Sequence, residues 1–224
     1  AIRAIILDCD GVLADTERLH LDAFREALAP RGIEVTEEEY RTRLLGLDDR
    51  ACAAAVLRRA GAVTDAEVDA FVRRKRALYG RRLDAGVPVV SGVIRFLRRN
   101  VRTRALAVVS GACRAEVTRI IDHLGVADLI GVVVAAEDVG RSKPHPEPYL
   151  QALDRLCQPG PLDAAACAVV EDSPVGMRAA RDAGMRVIGL TTTYGAADLA
   201  AADLVIDSFG DLTDERLARL GEAP

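Results

Sequence analysis

Lysine is scarce in this sequence. Of 30 lysine and arginine residues, only Lys75 and Lys143 are lysines. Each retained ammonium therefore raises the question of what a compact point charge does there that a planar guanidinium does not. Paired cysteines are missing too. Cys9, Cys52, Cys113, Cys157 and Cys167 are odd in number and scattered without a CxxC pair. They suggest neither a zinc site nor a disulfide framework, and a reducing compartment fits them best. Positive charge is not in excess either. A net charge of −4 sets up no global field for nucleic acid, so an anionic ligand has to be captured by local cations. Long apolar runs are absent as well. Ile2–Leu7 is too short for a signal-peptide core or a membrane span, and no later run reaches membrane length. The expectation is a cytoplasmic protein with neither membrane nor nucleic-acid partners.

What is present is a rhythm. Short β-rich apolar runs recur at Ile2–Leu7, Ala105–Val109, Ile130–Ala135, Ala166–Val170, Arg186–Leu190 and Leu204–Ile206. Near-continuous hydrophobicity, rather than alternation, marks strands buried on both faces of a parallel sheet. Helical periodicity fills the gaps at Arg114–Leu124, Pro146–Leu156, Pro174–Ala183 and Asp211–Leu220, with proline at two first turns. This alternation predicts an α/β, Rossmann-like doubly wound core. Residues from about Thr16 to Asp84 break the pattern and read as helices over 16–29, 36–45, 49–60 and 65–83. The predicted organisation is a core of residues 1–15 and 86–224, with an all-helical cap over 16–85 inserted after the first strand.

Open α/β sheets bind ligands beyond the carboxyl ends of their strands. The first strand is followed by Asp8-Cys9-Asp10-Gly11, the second by Ser110-Gly111, the third by a loop holding Lys143-Pro144, and the fourth ends in Glu171-Asp172-Ser173-Pro174. Singly, each is ordinary turn chemistry; their order along four strand ends is the signal. Together they fit phosphoryl transfer. One carboxylate attacks phosphorus, and a second acid handles the proton of the leaving oxygen and of water. Clustered carboxylates call for a hard cation, and Mg²⁺ suits all-oxygen ligands such as Asp8 and Asp172. Ser110 and neighbouring backbone N–H groups, Gly111 included, would hold phosphoryl oxygens, and Lys143 would offset their charge. Cys9, between the two acids, should point into the core.

These four segments, from Asp8-Cys9-Asp10-Gly11-Val12-Leu13 through Ser110 and Ser142-Lys143-Pro144-His145-Pro146 to Glu171-Asp172-Ser173, resemble the motifs of the haloacid dehalogenase superfamily. The helical insertion is similar to that of the subgroup with β-phosphoglucomutase and sugar-phosphate phosphatases. The resemblance implies Asp8 as nucleophile and Asp10 as acid/base. It also implies Mg²⁺ held by Asp8, the Asp10 backbone carbonyl and Asp172, with Glu171 as a further ligand or a neighbour of one. Dehalogenation is set aside because Asp10 marks a phosphoryl-transfer site.

Substrate choice falls to the cap. His20 reads either as a surface or half-buried structural histidine or as a cleft residue, and the resemblance favours the cleft. Gly46 gives a turn in Leu45-Gly46-Leu47-Asp48-Asp49-Arg50, where Arg50 is a candidate for substrate and Asp48 for a helix N-cap. Lys75 lies in the basic run Arg73–Arg76, which reads either as a solvated face or as a source of one cleft cation. The mutase pattern departs at Leu45 and Asp49, where cations are expected to hold a second phosphate. The leading expectation is therefore a phosphatase for a small phosphorylated metabolite, ahead of a phosphosugar mutase and a non-catalytic phosphometabolite-binding protein. Oligomeric state is open.

Overall fold

The computed structural model describes residues 1–157 and 160–222. Six strands form one sheet: β1 (Ala4–Leu7), β2 (Ala105–Val109), β3 (Val132–Val134), β4 (Cys167–Glu171), β5 (Arg186–Leu190) and β6 (Leu204–Ile206). Their order is β3-β2-β1-β4-β5-β6 and every neighbouring pair is parallel. All four residues of β1 and all five of β4 are buried. Successive side chains point to opposite faces, so both faces are covered. The fold is α/β and doubly wound. Its strand order reverses at β1, between β2 and β4, which is where such sheets open a crevice.

Two strands are shorter than their apolar runs. β1 begins at Ala4, where pairing to Ala105 and Cys167 begins; Ile2 is buried without joining the ladder. β3 pairs only with β2, and the turn Ala127–Leu129 followed by the Gly131 N–H to Leu106 oxygen bond leaves three residues for pairing.

The chain divides into two compact units, one of Ala1–Asp15 with Pro88–Pro224 and one of Thr16–Val87. The smaller is helical: α1 (Glu17–Leu28), α2 (Asp49–Leu57) and α3 (Asp65–Ala85). Thr64 and Glu67 cap α3 reciprocally, each side chain accepting from the other's backbone N–H. Phe24 of α1 meets Phe71 of α3 edge-on, with centroids 5.3 Å apart. Thr16 stands at the N-cap position of α1 but makes no side-chain capping bond, because its ψ of −6° is already helical. The helix expected over 36–45 is a single turn, Glu37–Glu39, that widens into π-helical Tyr40–Leu44.

In the larger unit, α4 (Val93–Asn100), α5 (Arg114–Leu124), α6 (Glu147–Leu156), α7 (Pro174–Asp182) and α8 (Asp214–Leu220) are interleaved with the strands, β5 passing directly to β6. α8 starts three residues later than its periodicity suggests. Phe209–Asp211 forms a separate 3₁₀ turn, and Thr213 caps α8 by accepting from the Arg216 N–H at 3.3 Å.

Candidate active site

Asp8 is the first residue beyond β1, and its N–H is tied to the Val170 oxygen of β4 at 3.0 Å. The chain then turns sharply. Gly11 has φ +74°, a conformation that side chains other than glycine avoid. Bonds from Leu13 and Ala14 N–H back to the Cys9 oxygen close the loop. Cys9 is fully buried, and burial followed by the nearby Asp10 and Asp8 charges pushes its thiol well above the usual range. It is an inert filler.

Lys143 shows why a lysine is kept here. Its Nζ donates to Asp8 Oδ1 at 2.5 Å, to Glu171 Oε1 at 2.6 Å and to the Val109 carbonyl at 3.1 Å. Three acceptors from three strand ends use the three N–H bonds of one ammonium, which a planar guanidinium cannot copy. Burial alone would lower the Lys143 pKa, but Asp8 and Glu171 outweigh it and hold the group charged well above its usual value. Asp8 is pushed up to about 7: burial raises it most, Lys143 opposes, and Glu171 and Asp10 add to the rise.

Both oxygens of Glu171 are occupied. Oε1 accepts from Lys143 and from the Tyr149 hydroxyl at 2.6 Å, and Oε2 accepts from the Ser173 hydroxyl at 3.0 Å and its N–H at 3.4 Å. Ser173 Oγ also caps α7 by accepting from the Gly176 N–H at 3.1 Å. Asp172 is buried and packs against Gly11. Ser110 commits its N–H to the Val134 oxygen at 3.0 Å and its Oγ to the Ala112 N–H at 3.0 Å. The hydroxyl proton remains to be given elsewhere. At Gly111 an added Cβ would meet no atom within 4 Å, so the backbone there is open to a close approach.

Carboxylate oxygens of Asp8, Glu171 and Asp172 lie within 4.8 Å of one another, all three residues buried. Beside them Thr193 Oγ1 is buried without a hydrogen-bond partner. Asp8 and Glu171 share one ammonium while Asp172 lies close to both; this excess of buried acid, with a stranded hydroxyl nearby, suits a hard divalent cation. Asp10 is half-buried, and its side chain is not among the three.

The remaining candidates lie in the helical unit. Lys75 is buried; its Nζ donates to Asp49 Oδ1 at 2.6 Å and lies 2.7 Å from His20 Nδ1. The His20 ring stacks on Tyr79 at 4.0 Å. Burial is the largest single influence on Asp49 and raises it, but Lys75, joined by His20 and Arg76, holds it below the usual carboxylate range. Asp48 does cap α2, accepting from the Ala51 N–H at 2.7 Å. Arg50 is half-exposed and pairs with Asp65, at 3.0 Å, and with Asp69. Gly46 has φ +83° in the turn before α2. Sequence reasoning missed Tyr149, Thr193 and Gly176; Tyr149's one cue was a tyrosine on the apolar face of α6.

The model of the haloacid dehalogenase-like hydrolases matches residues 5–190. Protein CbbY of Rhodobacter capsulatus is 32% identical over 211 residues, covering 90% of this chain and 91% of that protein. Validoxylamine A 7'-phosphate phosphatase of Streptomyces hygroscopicus subsp. limoneus is 31% identical, covering 98% of each. The crystal structure of a Rhodobacter sphaeroides CbbY mutant with xylulose-(1,5)bisphosphate superposes with TM-score 0.84 at 28% identity, over 95% of this chain and 96% of that one. With the site assembled at its four strand ends and the match spanning both units, the chain belongs to the haloacid dehalogenase-like hydrolases, as an enzyme of their phosphatase kind.

Proposed function

We propose that this enzyme hydrolyses a small phosphomonoester, of the sugar-phosphate class, through an aspartyl-phosphate on Asp8 and with Mg²⁺. The observation that carries this reading is the hold of Lys143 on Asp8 at 2.5 Å, inside a buried cluster of acids at the sheet's switch point. Asp8 attacks phosphorus and the ester P–O bond breaks. Asp10 protonates the departing alcohol oxygen, then takes a proton from the water that attacks the acyl phosphate, which returns Asp8 as carboxylate and frees phosphate. Lys143 and the Ser110 hydroxyl stabilise charge on the phosphoryl oxygens. Asp8, the Asp10 carbonyl and Asp172 would hold Mg²⁺, which supplies charge neutralisation when bound. Glu171, with four protein donors of its own, anchors Lys143 instead of binding the ion directly.

Substrate recognition is assigned to the helical unit, acting as a cap, through His20, Gly46, Arg50 and Lys75. A mutase has to bind a second phosphate, and position 49 here carries a carboxylate paired to Lys75, so hydrolysis ranks ahead of isomerisation. The test is a panel of hexose and pentose phosphates with Mg²⁺, including the xylulose bisphosphate bound by the R. sphaeroides relative. Free phosphate in molar excess over any isomerised sugar supports the reading. Conversion of β-glucose 1-phosphate to glucose 6-phosphate with little phosphate released overturns it in favour of a mutase. No Mg²⁺-dependent turnover on any member overturns it in favour of a binding protein.

A further inference from the structure

Two acids, Asp8 and Glu171, compete for one ammonium. Lys143 lies 2.5 Å from the first and 2.6 Å from the second. Neither acid gives up the ammonium cheaply, because a buried carboxylate that loses its cationic partner is destabilised. Glu171 Oε1 has a second donor. Tyr149 is fully buried on α6 among Ala152, Met177 and Val109, and its hydroxyl reaches Oε1 at 2.6 Å. Its ring also faces Lys143, with Nζ 5.1 Å from the centroid. One side chain thus touches both members of the pair, its hydroxyl on the acid and its π-face toward the ammonium.

We propose that Tyr149 is a positioning residue. Its hydrogen bond satisfies part of the demand of Glu171, so that Lys143 stays aligned on Asp8. Without the hydroxyl, Glu171 draws the ammonium away from the carboxylate that attacks. The inference rests on the phosphatase reading for its kinetic arm and on geometry alone for its structural arm.

Tyr149→Phe keeps the ring, its packing and its cation–π contact, and removes only the hydroxyl. The expected result is a kcat about tenfold lower, worth about 1.4 kcal/mol, with KM within about twofold of wild type. In a Glu171→Gln background the same change should cost less than about twofold, because the acid it restrains is gone. Equal losses in both backgrounds, which general weakening of the core would produce, overturn the proposal; so does wild-type kcat in the single variant. The structural arm needs no turnover. In a crystal structure of resting Tyr149→Phe, Lys143 Nζ should lie beyond hydrogen-bond distance of Asp8 Oδ1, and an unchanged contact overturns the proposal. If the wild-type protein releases no phosphate from any substrate, the phosphatase reading fails while the structural arm still decides the role of Tyr149. Matching thermal melts of variant and parent certify that the fold survives.

Discussion

Asp172 occupies the space where a side chain on Gly11 would begin. A Cβ built on Gly11 lies 1.9 Å from Asp172 Oδ2 and 2.8 Å from Thr193 Oγ1. The tight turn after β1 and the acid after β4 therefore fit together only because residue 11 has no side chain. Gly11→Ala adds an unfavourable left-handed φ to this clash. Displacing Asp172 by even about 1 Å should lower kcat/KM about a hundredfold. Calorimetric titration should also show weaker Mg²⁺ binding, and wild-type affinity would mean that Asp172 is not held where it appears.

Gly176 sets two physical effects against each other. In the first turn of α7, alanine is favoured over glycine by about 1 kcal/mol on helix propensity alone. Yet a Cβ there would lie 1.8 Å from Glu171 Oε1, and Glu171 is pinned by four donors. Sterics should win: Gly176→Ala is expected to unfold at lower denaturant by about 1–3 kcal/mol and to lose activity. A stabilised, fully active variant would show that Glu171 moves aside freely.

Lys143→Arg preserves charge and discards geometry. Guanidinium donors lie in one plane, whereas Asp8, Glu171 and Val109 present acceptors in three directions. The arginine variant should fall at least about a hundredfold in kcat, close to Lys143→Ala. Activity within about threefold of wild type would mean that positive charge alone is what the site needs.

Much of this site could be read from order along the chain. Asp8, Ser110 and Asp172 follow strands whose apolar runs announce themselves, and a parallel sheet brings such ends to one edge. Lys143 stood out because arginine fills nearly every other cationic position. Tyr149 could not be read this way: its role depends on α6 turning a hydroxyl toward Glu171, 22 residues further along. The pairing of Lys75 with Asp49, and of Arg50 with Asp65 and Asp69, depends likewise on how α2 and α3 face each other. Periodicity marks which face of a helix is apolar, but not which polar groups meet across two helices.

Asp138 provides a stability test away from the chemistry. It accepts from the Ala135 N–H at 2.7 Å, bonds Arg155 at 3.1 Å and pairs with Arg114. The Ala135 hydrogen bond lowers Asp138 most, burial opposes it, and with the two arginines the bond holds Asp138 below its ordinary 3.8. A depressed carboxylate contributes stability above its unfolded pKa and loses it as the pH falls through the folded value. Asp138→Asn should therefore melt below wild type at pH 7, with the gap closing below about pH 3.8. A gap that stays constant across that range would assign the effect to shape instead of charge.

The central claim, that Asp8 carries the phosphoryl group, is tested most directly by trapping. Enzyme mixed with an excess of the best substrate and Mg²⁺ is quenched in acid and reduced with borohydride, which converts an acyl phosphate to an alcohol. Peptide mass spectrometry should then find homoserine at position 8 in the wild-type protein and at no other aspartate, with none in Asp8→Asn, which should also release no phosphate above background. An unmodified Asp8 in an enzyme that is turning over, or an Asp8→Asn variant that still hydrolyses substrate at the wild-type rate, would contradict the account.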